Sequence, residues 1–443
     1  MRPSAWLPLA AVSALAVCGG AIRPRYGGTL RVEMRAAPAA LDANTPEASP
    51  LAALVFEPLL RLDETGTPQP CLAVSWQHEG TGKRWQFNLR PGVKLHDGTQ
   101  MTPGDVASAL QAALPGLAAT ANGEAVIIRA ERGLSSLLLD LAHTRLVSTG
   151  PFRVSAFEPG RRVTLAANQD YWDGRPFLDG IDVQLGRPLR DQLVDLELGK
   201  TDFAEIAPAD LRRASEHGRA VWSSSPVNLL ALQFTPGRAE DPRLREALAL
   251  AIDRAAMHNV LLQKQGEATA ALLPQWLSGY AFAFPAAQDL GRARALAGSL
   301  PPAARTLTLT YDPAVRAARS LAERVAVNAR DAGLAVQVSS QAAQADVRLV
   351  EVRIRSLDAA RAMVEVAAAL ALEAPPFVAT TAALYEAEHQ LLEGRRVIPL
   401  FHLPDLYGAG SRVRVFAPPA VTRLGYWRFD QVWLAVKPSG TAP

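Results

Sequence analysis

Between Trp76 and Leu110 the chain reads WQHEGTGKRWQFNLRPGVKLHDGTQMTPGDVASAL, and nearly every local signal in this stretch is structural punctuation. Two alternating runs flank a Gly-containing connection, which predicts a β-hairpin over Trp76–Leu89. Asp97-Gly98 then predicts a turn. Thr102 is placed to cap a helix, with Pro103 at its first position and Asp105 three residues after the cap. His96 beside Asp97 suggests a hydrolytic pair, but neighbours on an extended strand point to opposite faces. The stretch therefore reads as strand end, turn and capped helix.

Elsewhere strands and helices alternate. Gly27–Met34, Arg161–Leu165, Ile181–Leu185 and Val397–Phe401 have strand periodicity, while residues 51–60 suit a short helix and Leu189–Leu198 a longer one. Residues 102–147 read as a helix, Ala-rich through Ala121, and a short strand pair. Arg243–Met257 reads as one amphipathic helix, with Leu244, Ala247, Leu248, Ala251 and Ile252 on its buried face and its charged residues in solvent. Thr306–Tyr311, a helix over 314–332 and Leu334–Val338 form a strand, helix, strand unit, and Leu424–Leu434 alternates as a final strand. The class is α/β.

Length bounds the organisation: 443 residues imply two or three domains. A net charge of +3 on 46 basic and 43 acidic residues gives no basic face, so nucleic acid is not an expected partner. Residues 1–21 carry Arg2, a dozen apolar residues and then small ones, the pattern of a secretory signal. Leu15-Ala-Val-Cys18 is similar to a lipidation signal acting through Cys18, although Val17 stands where that motif takes Gly, Ala or Ser. No later apolar run reaches the ~20 residues of a membrane span. An exported protein is expected.

No Gly-x-Ser-x-Gly elbow, phosphate-binding loop, His-Glu-x-x-His or EF-hand pattern occurs, and Cys18 and Cys71 belong to no metal-ligand cluster. No catalytic residue, metal or cofactor is expected. Among the tryptophans, Trp276 alone sits in a Pro/Gly-flanked loop suited to a ligand.

Taken in order, several segments resemble the extracytoplasmic solute-binding proteins of peptide and nickel ABC transporters. They are Gly28-Thr-Leu-Arg-Val32, Phe56-Glu-Pro-Leu-Leu60, Pro70-Cys-Leu-Ala-Val-Ser-Trp76, Trp85–Gly98, Thr102-Pro-Gly-Asp-Val106, Thr149-Gly-Pro-Phe152, Asn168-Gln-Asp-Tyr-Trp-Asp-Gly174, Asp241–Leu248 with Ala251-Ile-Asp-Arg254, and Ile398-Pro-Leu-Phe401. The resemblance implies a type II binding-protein fold, in which two α/β lobes close on a ligand and an extra domain is inserted in the first. The expected boundaries are 22–57, 149–237 and 406–443 for the first lobe, 58–148 for the extra domain and 238–405 for the second lobe.

It also implies a monomeric, non-enzymatic receptor in the periplasm or at the cell surface that delivers a peptide or peptide-like solute to a membrane permease. Cleft candidates carried over from the family are Glu47, Ala48 and Ser49 after the Leu41-Asp42 motif, with Asn228 and Gln233 on the strand into the second lobe. The family's Trp- and Asp-containing segment, which pairs with a peptide amino terminus, is missing. Residues 346–358 stand in its place and offer Glu351, Arg353 and Asp358. That departure leaves two alternatives beside the receptor: an exported scaffold or chaperone on a binding-protein fold, and a hydrolase using His96 and Asp97.

Overall fold

The structure is a computed structural model and describes residues 23–43, 49–80, 82–129, 137–341, 345–373, 380–417 and 419–435. Its central feature is a pair of long antiparallel strands, Ala220–Phe234 and Val397–Ala409, which run from one hydrophobic core into another. On one side they continue into Phe203–Glu205, Thr29–Glu33, Gly180–Gln184, Arg162–Ala167 and Phe152–Glu158. On the other, Val347–Arg353, Thr306–Tyr311 and Ala335–Ser339 extend the same sheet.

The ladder between the long strands is interrupted where Pro226 faces Pro404. Neither proline has an N–H to give, so regular pairing must break there and the strands bend. On either side of the break the cores separate. Leu30, Val32, Phe152, Ile181, Phe203 and Tyr407 belong to the first. In the second lobe, Leu230 and Leu232 face the helices Pro242–Ala251 and Ala318–Asp331, while Leu229 and Ala231 face Ala359–Ala369 and Thr381–Glu393. Both faces of the strand are covered, which explains its nearly unbroken apolar run. The second core begins at Val227, ahead of the 237 boundary expected from sequence.

A separate core lies within residues 59–147, where Trp85, Phe87, Val106, Leu110 and Ile128 pack together. The hairpin is present as Ala73–His78 against Arg84–Leu89. Helix Pro103–Ala113 starts with the full reciprocal cap: the Asp105 N–H donates to Thr102 Oγ1, and the Thr102 N–H donates to the Asp105 carboxylate.

Four expectations fail locally. Ala118–Asn122 is a strand rather than helix, after Pro115 and Gly116 end the helical pattern. Arg243–Met257 is two helices, because Ile252 is extended and Asp253 caps a new helix at Arg254. Arg245 and Arg254 are also buried, not solvated; Arg254 donates to the Pro399 carbonyl, and burial lowers its pKa to about 10. In the tail, only Val432–Leu434 forms a strand, with a 3-10 turn before it.

Candidate functional site

His96 and Asp97 have separate structural partners. The His96 ring pairs with the Gly150 carbonyl at 3.0 Å, and burial depresses its pKa. Asp97 accepts from the backbone and hydroxyl of Thr99, closing the turn at Gly98. The motifs around them converge on one buried carboxylate, Glu57. It accepts from Thr149 Oγ1 at 2.7 Å, Tyr171 Oη at 3.0 Å and Trp172 Nε1 at 2.8 Å. Burial raises its pKa, and these three neutral donors oppose the rise. Segments far apart in sequence are thereby pinned at the edge of the core within residues 59–147, and every donor to this carboxylate comes from the chain itself.

A different assembly lies beside the facing prolines, where the long strands pass from one core to the other. The Arg316 guanidinium lies 2.8 Å from Glu351 and 3.1 Å from Asp405. Arg353 lies 2.7 Å from the other Asp405 oxygen and donates to the Leu424 carbonyl at 2.6 Å. Asn228 donates to Asp405 at 3.0 Å and to the Leu403 carbonyl, and accepts from Arg353 at 3.3 Å. From the first lobe, Arg35 approaches Glu351 at 3.9 Å while its backbone N–H donates to Glu205. Arg35, Arg316 and Arg353 therefore meet Glu205, Glu351 and Asp405 with no net charge. Burial alone would push the Asp405 carboxyl up, but Arg353 and Arg316 hold it down at about 2. Burial also opposes the Arg316 charge, yet Glu351 and Asp405 carry its pKa above the ordinary guanidinium value.

Backbone geometry supports the assembly. Gly425, at φ +84, leaves room that a Cβ would take from both Arg353 and Asp405. Ser224 Oγ accepts from the Asp405 backbone N–H at 2.8 Å, tying the two long strands at their break.

Of the residues singled out from sequence, Asn228, Glu351 and Arg353 come together here. Gln233 lies further along its strand and donates to the Leu370 carbonyl, a structural bond. Asp358 is a helix cap, accepting from the Arg361 N–H at 2.7 Å, so it is withdrawn as a ligand candidate. Trp276 donates to the Pro226 carbonyl and carries the Arg423 guanidinium over its ring at 4.5 Å. It therefore braces the crossing strand. Glu47 and Ala48 lie outside the described residues, as does Cys18, and of Ser49 the structure gives only its place at the start of helix Ser49–Val55.

Sequence reading missed Arg316, Asp405, Arg35 and Glu205. Arg316 resembles any charge in an Ala/Arg-rich run, and only its burial distinguishes it. The one legible signal was Leu403-Pro404-Asp405, a carboxylate directly after a proline inside an apolar strand, where an acid needs a partner.

Among the described residues no group of three or more His, Cys, Asp or Glu is placed to hold a metal ion, and no helix is long and apolar enough to cross a membrane. A concavity of about 1140 Å³ lies on the first lobe, lined by Arg25, Tyr26, Arg31, Arg219 and Arg412 among others; no sequence candidate lines it.

The family model described as bacterial extracellular solute-binding proteins, family 5 Middle, matches residues 67–122 and 140–363. The chain is 24% identical over 236 residues to the nickel-binding protein NikA of Staphylococcus aureus, covering 47% of this chain and 48% of that protein. It is 22% identical over 290 residues to the oligopeptide-binding protein AppA of Bacillus subtilis, covering 55% and 53%. The chain thus spans about half the length of these curated relatives. Among solved structures, a dipeptide-binding protein from Pseudoalteromonas sp. SM9913 in complex with Met-Leu superposes with a TM-score of 0.79 at 16% identity, covering 92% of this chain and 100% of that one. This likeness establishes the two-lobed α/β fold.

Proposed function

Because the chain belongs to the bacterial extracellular solute-binding proteins of family 5, we propose that it is the receptor of an ABC importer, holding a peptide or peptide-like small solute between its lobes. The observation that carries this reading is the pair of proline-broken strands joining two α/β cores beside a cluster of buried charges. Such a crossing permits the lobes to swing, and a ligand touching both lobes stabilises the closed arrangement. The permease in the membrane then receives the solute from the closed form. The relatives named above are binding proteins for peptides and nickel, which supports a non-enzymatic role and a place outside the cytoplasmic membrane, periplasmic or at the cell surface. A cleaved signal within residues 1–21, lipidation at Cys18 and a single-copy assembly complete the proposal.

The scaffold reading draws on one observation: every candidate brought to the strand break already has a partner from the chain itself. Titration calorimetry against a library of short peptides and metal chelates separates the two. Saturable binding with matching thermal stabilisation is expected of a receptor. A fully silent library contradicts it.

A further inference from the structure

The pairing at the strand break is one-sided in origin. Glu351 and Asp405 lie on strands at the middle of the sheet, whereas Arg316 comes from the loop between Tyr311 and helix Ala318–Asp331. Asp312, Pro313 and Ala314 in that loop are exposed, yet the Arg316 side chain is only 10% exposed. The loop turns inward through Ala317, which sits at φ 54 in the left-handed region. An alanine held there costs on the order of 1 kcal/mol, and such strain persists only where its surroundings enforce it.

Arg316 is also imperfectly satisfied. Nη1 and Nη2 reach Asp405, the Pro404 carbonyl and Glu351, but Nε is buried without a hydrogen-bond partner. The Nε atoms of Arg187, Arg219 and Arg245 are likewise buried without a hydrogen-bond partner, so the distinguishing feature of Arg316 is its origin in an exposed loop. The Arg316 group is held by its two terminal nitrogens, on a side chain that enters from outside the sheet. Arg353 differs: it is on the same strand as Glu351, reaches the Leu424 carbonyl, and fits the space beside Gly425.

We propose that Arg316 is a built-in plug, occupying the Glu351 and Asp405 carboxylates in the solute-free protein so that a solute's cationic group enters only by displacing it. The proposal rests on the receptor reading for its purpose, but its geometry is separate. A plug of this kind keeps the two acids paired when no solute is bound and prevents collapse of the empty cleft onto an uncompensated charge. It also selects by exchange: a neutral solute leaves Arg316 in place, while a guanidinium or ammonium group competes for the same two carboxylates.

Chemical rescue tests it. Thermal unfolding of the wild type and of Arg316→Ala is followed as methylguanidinium chloride is added, with sodium chloride at equal ionic strength as reference. The expected result is a lower midpoint for Arg316→Ala and a saturable narrowing of its gap to the wild type as methylguanidinium fills the vacated site. If Arg316→Ala does not fold, Arg316→Gln, which keeps the stem, serves in its place. Rescue must vanish in Arg316→Ala combined with Glu351→Gln. A gap that stays constant, or rescue that survives loss of Glu351, overturns the proposal. Solute binding in the calorimetry above without rescue refutes the plug alone, and rescue with a silent library refutes the receptor reading alone.

Discussion

Two buried carboxylate sites divide the labour in this molecule. Glu57 is satisfied by a hydroxyl, a phenol and an indole, all neutral and all from segments that carry family motifs. Asp405 is ion-paired with two guanidinium groups and accepts from the Asn228 amide, while its Oδ2 has no hydrogen bond. The first arrangement is fixed, because each donor is held by its own element and no ion needs to be exchanged. The second is a balance of charges in which removing one partner strands the others. Neutral donors make a joint; paired ions at a strand break make a balance that, on the proposed receptor role, a ligand's charge would enter.

The largest effect is expected for Asp405→Ala. Arg316 and Arg353 then lose their shared acid while remaining buried, and chemical denaturation should show a loss of about 3–5 kcal/mol. Acid adds a second reading. With its pKa held at about 2, Asp405 contributes stability that is present above the ordinary carboxylate value and lost as pH falls through about 2. Asp405→Ala should therefore flatten the acid limb of the stability curve below pH ~4; an unchanged limb would place the stabilisation elsewhere.

Glu388 tests burial without a cation. It accepts from the backbone of Leu272 and Leu273 and from Tyr280 Oη, and burial lifts its pKa to about 7. An acid raised in this way favours the fold below its ordinary pKa and loses that contribution as pH rises through about 7. Relative to Glu388→Gln, the wild type should lose on the order of 3 kcal/mol between pH ~5 and pH ~8. Equal pH profiles for the two proteins would contradict the assignment.

At the neutral joint the expected effects are smaller. Glu57→Gln keeps the shape but turns its amide toward donors, and should cost about 1–3 kcal/mol in urea unfolding with no change in solute binding. Altered binding with intact stability would mean that the joint belongs to the ligand site. The smallest effect is expected for His96→Ala, about 1 kcal/mol from the bond to Gly150, with solute binding untouched.

The same contrast explains what sequence made legible. Turn and cap chemistry is local, so Asp97-Gly98 and Thr102-Pro103 with Asp105 could be read directly and appear as read. The two-lobed α/β plan followed from motifs in order. Asn228, Glu351 and Arg353 were picked out, but what joins them is not local: Arg316 and Asp405 lie far from each other in sequence and meet only through sheet order. Asp358 was misread because a helix cap and a free cleft acid look alike until the Arg361 N–H is placed. The split of Arg243–Met257 was hidden because apolar periodicity carries on through Ile252 while the backbone does not.

Native mass spectrometry of protein gently purified from its own host decides the receptor reading. It predicts a folded species carrying a small-molecule mass that is released on denaturation and identifiable as a peptide or peptide-like solute. Only the bare chain mass, from preparations that also fail to take up any member of the peptide and chelate library, would contradict it.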